Sequence, residues 1–591
     1  MTRVQIGRLS FALIEGDLRG IALDGVEVLR RLSYPVRDSQ WGTLPAETLA
    51  EAVAQDGGHW TYRRRFAGRG GVFDGSLRAE VWAEPGGARL RLEVEMSAPA
   101  DLAVNRAGFT LLHPLRGVAG QPLRVTHADG TQRDTHWPLR ISPAQPVFDI
   151  AGLAHEVAGL GVEIRMSGDI FEMEDQRNWS DASYKTYCRP LRLPLPYRLG
   201  PDHPVRQVVD ITVTGRGTAP TGAAAGAAVP VAGVVPQVAV AAEPGLTTAA
   251  ARAAYAGLPL LLRVRADVET AVLADHAGGA VTLEVILPEG ASPAAALARL
   301  AARCAAAGLV PARVVALPAP YMASHQPDGP WPEGPAPMDL LPALRAAFPG
   351  VPAGGGVFTN FTEFNRCPPD PARVDFMTYG TSAIVHAADD LSVLETLEAL
   401  PDIHATAREW AGDRPLHLGL CAIAMRSNPY AADCLPNPRH ERLAMVRDDP
   451  RQETRFAAGF AAGVLAAATA GGVASVALCM TDGPLGGQAG GRFRPVHHLL
   501  RFAARLAELP ARVRMGAEVR IATVGGTILA NLGGDEIALP AGARGRVICA
   551  ATEAAAACDG DWACGPALAL GGVRLAPLDV ALLEGDMGED A

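Results

Sequence analysis

The first 218 residues alternate apolar and polar positions in short segments that Gly and Pro interrupt. Clear examples are RLSFALIEGDLRGIALDG (8–25), HWTYRRRF (59–66), LRAEVWAEP (77–85) and ARLRLEVEMSA (88–98). A period of two is typical of strands that bury one face and expose the other. The pattern predicts an N-terminal antiparallel β-sandwich over residues 1–218.

Residues 219–236 are almost entirely Ala, Gly, Pro and Val and carry no charge, so we interpret them as a linker. Eight continuously apolar runs then alternate with Ala- and Leu-rich helical stretches. The runs are VAVAAE, PLLLRVRA, AVTLEVILPE, ARVVALPAP, GGVFTNFTEFN, VDFMTYG, LHLGLCAIAMR and VASVALCMTDG. This rhythm predicts a parallel TIM (β/α)8 barrel over residues 237–510. An open doubly wound sheet is the alternative, but the Gly-rich turn expected after its first strand is missing.

Short alternating strands return after residue 510 and predict a small C-terminal β domain over residues 511–591. The length of 591 residues agrees with about three domains.

The net charge of −10 disfavours nucleic acid and anionic membrane surfaces as partners, which leaves small molecules. Nine Cys without a C-x-x-C pair favour a reduced cytoplasm. The uncharged stretch from Phe456 to Met480 is interpreted as a buried helix and strand.

TIM-barrel enzymes build their sites where strands end, and most of these apolar runs are followed by polar or ionisable side chains. The candidates are Tyr321, His325, Asn360, Glu363, Asn365, Arg366, Tyr379, His386, Asp389, Asp390, Arg426, Asn428, Tyr430 and Asp482. We assign catalysis to Glu363, His386 and Asp389, because carboxyl and imidazole groups in one cavity can move protons.

Each assignment has a structural alternative. Glu363 could pair with Arg366 or cap a helix, and His386 could be a hydrogen-bonded barrel residue. Asp389 or Asp390 is a natural N-cap for the helix that follows. A metal held by the three catalytic candidates stays open as an alternative. Patterns for zinc proteases, P-loops and a G-x-S-x-G nucleophile are missing, so the prediction is that the protein uses no metal and no cofactor.

The run FEMEDQRNWSDASYKTY (171–187) concentrates charged, amide and aromatic side chains. One interpretation is that it binds a hydroxyl-rich substrate through Glu174, Asp175, Arg177 and Trp179. The other is a buried ion-pair seam between domains.

Several segments together resemble the D-apionate lactonase family of bacterial apiose catabolism. They are NRAGFTLLHPL (105–115), FEMEDQRNWSDASYKTYCRPL (171–191), FTNFTEFNR (358–366), IVHAADDLSVLETLEALP (384–401) and AMRSNPY (424–430). The resemblance implies hydrolysis of a sugar-acid lactone, D-apionolactone, to D-apionate. The expected partner is therefore a small sugar lactone, and a homo-oligomer stays open.

Ester hydrolysis requires a base, an acid for the leaving alkoxide and donors for the oxyanion. From their positions at strand ends we predict Glu363 as general base, His386 as general acid or its orienting partner, and Arg426 or Asn365 at the oxyanion. The predicted substrate-binding residues are Asn365, Arg366, Arg426, Asn428, Tyr321, Glu174, Arg177 and Trp179.

Two other functions compete with this one. A glycoside hydrolase needs two carboxyl groups at the scissile bond, yet the fourth and seventh runs end in ALPAPY and AMRSNPY, so Glu363 would have to pair with Asp389 or Asp482. A sugar-binding protein on a barrel without activity is the second alternative, and the ionisable groups at several strand ends disfavour it.

Overall fold

The computed structural model describes residues 2–218 and 230–585, which form two compact units. The first unit contains the described residues up to Gln176 and those from Ala182 to 218. The second contains Arg177–Asp181 and the described residues from 230 onward. Most of the predicted linker, 219–229, lies outside the described residues, as do residues 586–591. The domain boundaries therefore stay predictions.

The first unit is built on one antiparallel sheet, so the β architecture expected from the alternating pattern is confirmed. Along Gly87–Ser97, apolar side chains such as Leu90, Leu92 and Val94 are buried while the positions between them are partly or fully exposed. The sixteen strands of this sheet are Thr2–Ile6, Leu9–Ile14, Asp17–Leu23, Val26–Ser33, Ala46–Asp56, His59–Gly68, Asp74–Glu84, Gly87–Ser97, Thr110–His113, Pro122–His127, Gln132–His136, Val147–Val157, Leu160–Ser167, Phe171–Asp175, Tyr184–Cys188 and Val205–Gly215.

A smaller sheet of Val36–Asp38, Leu102–Ala107 and Tyr197–Leu199 completes the strands of this unit, with a 3-10 turn at Arg69–Gly71. The strand Phe171–Asp175 departs from the alternating pattern, because all five of its residues are buried. Glu174 lies in this strand and forms an ion pair with the buried Lys185 of the neighbouring strand. Burial lowers the pKa of Lys185 from 10.5 to about 8, although the Glu174 charge opposes this shift.

The second unit contains the predicted parallel barrel. Its strands, numbered 1 to 8 along the chain, are Gln237–Ala242, Leu260–Arg265, Val281–Leu287, Pro311–Pro318, Gly355–Asn360, Met377–Ser382, His417–Ala422 and Ser475–Met480. They are arranged in the order 4-3-2-1-8-7-6-5. A parallel bridge between Val314 of strand 4 and Ala353, two residues before strand 5, nearly closes the ring. Seven pairs of neighbours are parallel, as continuously apolar strands require.

Helices connect these strands. They are Ala249–Ala254, Thr270–Ala274, Pro293–Ala306, Leu341–Ala347, Phe361–Arg366, Asp390–Glu395, Leu400–Ala411, Arg455–Ala470 and Pro495–Leu506, with 3-10 turns at Ala319–Met322, Pro337–Leu340, Thr396–Glu398 and Pro450–Glu453. The uncharged stretch after Phe456 is a buried helix followed by strand 8, as expected. Within the described residues, no helix combines the length and the apolar character needed to cross a membrane.

The second unit also contains an antiparallel sheet, of which one strand precedes the barrel along the chain and six follow it. Its strands are Val231–Val234, Pro510–Arg514, Glu518–Thr523, Gly526–Asn531, Arg544–Ile548, Leu568–Ala569 and Val580–Leu583. Val231–Val234, which the sequence assigned to the linker, pairs with Pro510–Arg514 and so belongs to this sheet. Two-residue ladders (Gln488–Ala489 with Arg492–Phe493, Ile537–Ala538 with Arg574–Leu575) and the short helices Glu553–Ala556 and Trp562–Cys564 make up the rest.

Candidate functional site

Five charged side chains meet where strands of the barrel end, and we call them the arginine–carboxylate cluster: Glu243, Arg263, Glu284, Arg426 and Arg447. Arg263 and Glu284 are register partners on strands 2 and 3, with Nε 2.9 Å from Oε2. Arg426, in the loop after strand 7, donates to Oε1 of Glu243 at 2.7 Å and to Oε2 of Glu284 at 3.0 Å. Arg447 donates to the other oxygen of Glu243 at 2.6 Å. Two carboxylates therefore share three guanidinium groups.

The arginines of the cluster keep the partly buried Glu243 carboxylate charged. Burial alone would raise the pKa of Glu243, but Arg426, Arg263 and Arg447 together lower it to about 2. Glu284 is fully buried, and an unpaired charge at such a position would be costly. Both carboxylates are ion-paired with Arg426.

A cleft of about 730 Å³ lies over this cluster. Glu243, Arg263, Arg426, Asn428 and Arg447 line it together with apolar groups of the loop after strand 4. Its volume is that of a pocket for a small organic molecule. Within the described residues, the Nε atom of Arg447 is buried and has no hydrogen-bond partner. Guanidinium, amide and apolar surface in one cleft suit a polyol with a polarised carbonyl.

A second group lies after strand 6, where His386 meets Asp181. Nδ1 of His386 is 2.6 Å from Oδ2 of Asp181, and the two side chains are 22% and 15% exposed. Asp181 accepts a hydrogen bond from the N–H at Nδ1. In the neutral imidazole, Nε2 is then the proton acceptor. No hydrogen bond joins Nε2 to any residue that the structure describes. A partly exposed imidazole oriented by a carboxylate can act as a general base.

Segment 177–181 builds the surroundings of this histidine. The Trp179 ring lies with its centroid 5.5 Å from that of His386, in an edge-to-face arrangement. The guanidinium of Arg366 lies 5.2 Å from the Trp179 ring centroid. The partly exposed tryptophan therefore has the imidazole and a buried cation as neighbours. Such a ring offers an apolar surface for the C–H face of a sugar.

The same segment is fixed to the helix that follows strand 5. The backbone carbonyl of Asn178 accepts a hydrogen bond from Thr362 at 2.6 Å, and its side chain accepts one from Asn365 at 2.9 Å. Asn365 in turn accepts from the Trp410 indole at 2.9 Å. The fully buried Arg177 donates to Asp402 at 2.7 Å. Asn365 and Arg177 therefore hold the segment in place, and their contacts leave them little capacity to bind substrate.

Glu363, the predicted base, caps its own helix. One of its carboxylate oxygens accepts a hydrogen bond from the backbone N–H of Asn360 at 3.0 Å, in a capping box. Only 5% of the residue is exposed. Burial raises the pKa of Glu363, while Ser324, Arg366 and other neighbours oppose the rise. The capping alternative considered from the sequence matches these contacts, and Glu363 is not among the residues that line the cleft.

The other predicted residues have the following positions. Asp389 is exposed and caps the helix Asp390–Glu395, accepting from Ser392 through its backbone N–H at 3.0 Å and its hydroxyl at 2.6 Å. Tyr321 stacks on Trp331 with ring centroids 6.1 Å apart and belongs to a buried apolar cluster. Asn428 lines the cleft beside Arg426, whereas Glu174 belongs to the first unit.

Sequence reasoning overlooked Asp181, Glu243, Arg263, Glu284 and Arg447. Two of them carried a usable signal, because Arg263 and Glu284 each lie between apolar residues inside a predicted strand. A charge inside a strand that is buried on both faces requires a partner. Asp181 was visible only as one acid in a polar segment.

Known proteins resemble this chain in sequence over most of its length. A family model described as D-apionate lactonase, N-terminal domain, matches residues 1–216, and one described as D-apionate lactonase, TIM barrel domain, matches residues 262–508. A D-apionate lactonase of Brucella anthropi is 38% identical over 518 residues, which cover 83% of this chain and 84% of that protein.

Similarity to solved structures is much weaker. A GH36 alpha-galactosidase, AgaA, from Geobacillus stearothermophilus is 10% identical, with a TM-score of 0.25 over 99% of this chain and 100% of that one. A putative aldose 1-epimerase from Escherichia coli K12 is 10% identical, with a TM-score of 0.24 over 36% of this chain and 98% of that one. Scores this low support no conclusion about function.

Proposed function

The chain belongs to the D-apionate lactonase family, and we propose that it hydrolyses D-apionolactone to D-apionate with His386 as the base that activates water. This membership confirms the resemblance seen in the sequence motifs. The observation that supports the catalytic assignment is the 2.6 Å contact between Nδ1 of His386 and the Asp181 carboxylate. It fixes the tautomer that a base requires.

In the proposed reaction, Nε2 of His386 takes a proton from water as the water oxygen attacks the lactone carbonyl carbon. The carbonyl oxygen becomes an oxyanion, and the Arg366 guanidinium provides the positive charge beside it. Collapse of this intermediate breaks the ring C–O bond. The leaving alkoxide then takes the proton from His386, which restores the base and yields the open aldonic acid. The acid ionises to the aldonate and releases its proton to the solvent.

The cleft over the arginine–carboxylate cluster is the proposed binding site for the hydroxyl groups of the sugar. Both the cleft and His386 follow the ends of strands of one barrel, which is where enzymes of this fold bind substrate. Arg426 is already used by two carboxylates and a backbone carbonyl, so the proposal gives it a supporting role. The proposed reaction does not use three residues to which the sequence assigned catalytic roles. They are Asn365 as an oxyanion donor, Glu363 as the base, and Asp389.

A glycoside hydrolase is less well supported by these contacts. That chemistry needs one carboxyl group that donates a proton beside a second that stays charged. Glu243 and Glu284, the carboxylates of the cluster, both contact Arg426. Glu363 has a raised pKa but is used as a helix cap.

The test compares His386→Gln and Asp181→Asn with the unchanged protein, following acid release from D-apionolactone. We expect kcat to fall about 100- to 10,000-fold in His386→Gln, the range for a lost general base, and by less in Asp181→Asn. His440→Gln is the matched control, because His440 also lies near an aspartate, Asp448, at 3.2 Å and is partly exposed. A His386→Gln enzyme that keeps a third or more of its kcat would exclude His386 as the base.

A further inference from the structure

An exposed groove lies on the first unit, on one face of five neighbouring strands. The strands are Ala46–Asp56, His59–Gly68, Asp74–Glu84, Gly87–Ser97 and Val205–Gly215. The groove has a volume of about 650 Å³. Short side chains, Ala50, Ala52 and Ser76, leave room above the sheet, while longer ones surround them. The volume falls in the range of small-molecule pockets.

Arginines are concentrated in one half of this groove. Arg63 lies directly opposite Ala52 on one neighbouring strand and Arg78 on the other, and Arg65 lies two residues along from Arg63. Arg63 and Arg65 are exposed, and neither has an ion pair or hydrogen bond to any residue within the described part of the chain. Like charges that face each other across strands destabilise a sheet.

The other half of the groove carries carboxylates. Glu93 and Glu95 lie on the strand Gly87–Ser97, opposite Arg78 and Ser76 respectively. They have their own partners, since Glu93 is 2.9 Å from Arg91 and Glu95 is 3.5 Å from Arg206. Four arginines (Arg63, Arg65, Arg78 and Arg206) and two glutamates (Glu93 and Glu95) lie on this face of the sheet, so the groove is positive although the whole chain has a net charge of −10.

We propose that this groove is a second binding site, and that its ligand is a sugar acid. The carboxylate of such a ligand would pair with Arg63 and Arg65, because guanidinium groups bind carboxylates in bidentate fashion. Arg78 lies beside them and also contacts Glu80 at 2.9 Å. Its hydroxyl groups would donate to Glu93 and Glu95. A molecule with an anionic end and a polyol end matches a groove with a cationic half and an acceptor half.

The choice of a sugar acid rests on the proposed function, because the product of lactone hydrolysis is an aldonate. The arginines are solvent-exposed, so binding should be moderate and should weaken with salt. A polyanion such as nucleic acid fits poorly, since the carboxylates of the groove and the negative chain would repel it.

Calorimetric titration with D-apionate tests the proposal. The unchanged protein should bind one equivalent at the groove, and Arg63→Gln combined with Arg65→Gln should weaken that binding at least tenfold while kcat and KM stay unchanged. The control replaces Arg165 and Arg198, which lie outside the groove lining and are 75% and 71% exposed, by Gln. It removes the same charge and should bind as the unchanged protein does.

Two results would overturn the assignment. One is equal D-apionate binding by the Arg63/Arg65 variant and the unchanged protein. The other is displacement of D-apionate by inorganic phosphate at equal concentration, which would mean a general anion site. Failure of lactone turnover would reject the proposed function but not the groove, because the titration measures binding of the acid itself.

Discussion

Replacing Glu243 by Gln should make the protein less stable at neutral pH and should remove part of its sensitivity to acid. In the folded protein, burial raises the pKa of this carboxyl group, but Arg426, Arg263 and Arg447 lower it from 4.5 to about 2. A difference of one pKa unit corresponds to about 1.4 kcal/mol, so the charged form contributes about 3 kcal/mol. The side chain is 18% exposed, which limits screening by solvent.

The sign of the pH dependence follows from the direction of the pKa shift of Glu243. A carboxyl group whose pKa is lower in the folded state stabilises the protein above its unfolded pKa, and this stabilisation disappears as the pH falls through the folded value. For Glu243 the window runs from 4.5 down to about 2. The difference in free energy of unfolding between the unchanged protein and Glu243→Gln should therefore shrink by about 2 kcal/mol between pH 7 and pH 3.

Urea unfolding followed by tryptophan fluorescence, at several pH values and constant ionic strength, measures this difference. Glu441→Gln is the matched control, because Glu441 is also ion-paired, with Arg439 at 3.0 Å, but is 45% exposed. The control should show almost no pH-dependent difference. If the difference in free energy of unfolding between the unchanged protein and Glu243→Gln stays constant from pH 7 to pH 3, the arginines do not hold the carboxylate charged and the reasoning fails.

Two further substitutions test the roles of Glu363 and Arg447 in catalysis and substrate binding. Glu363→Gln keeps a residue that can still cap the helix, so kcat should stay within about fivefold of the unchanged enzyme in the acid-release assay; a loss as large as that of His386→Gln would restore Glu363 as the base. Arg447→Met should raise KM about tenfold with a much smaller change in kcat, since about 1.4 kcal/mol of hydroxyl binding is lost. Arg442→Met, whose side chain is 55% exposed and pairs with Asp390, is the control, and an unchanged KM for Arg447→Met would remove the cleft from the substrate site.

The barrel could be predicted because most positions of its strands are apolar without alternation, and the sheet of the first unit because its strands alternate. The residues at which strands end were harder to predict from the sequence. The seventh apolar run extends to Arg426 in the sequence, but strand 7 ends at Ala422. Arg426 lies beyond the strand, where its side chain reaches Glu243 and Glu284. Apolar periodicity does not reveal where a strand gives way to a loop that ion pairs hold.

The candidate site was only partly predictable for a related reason. His386 was found because it follows a strand, but its partner Asp181 is 205 positions away in the sequence, and no local pattern connects them. Arg263 and Glu284 are different, because each is a charged residue at a buried position of its strand and the two strands are consecutive. Since a buried charge is stable only beside an opposite one, opposite charges in consecutive apolar runs predict both the pairing of the strands and their register. That inference was available from the sequence, and it would have located the cluster at the floor of the cleft.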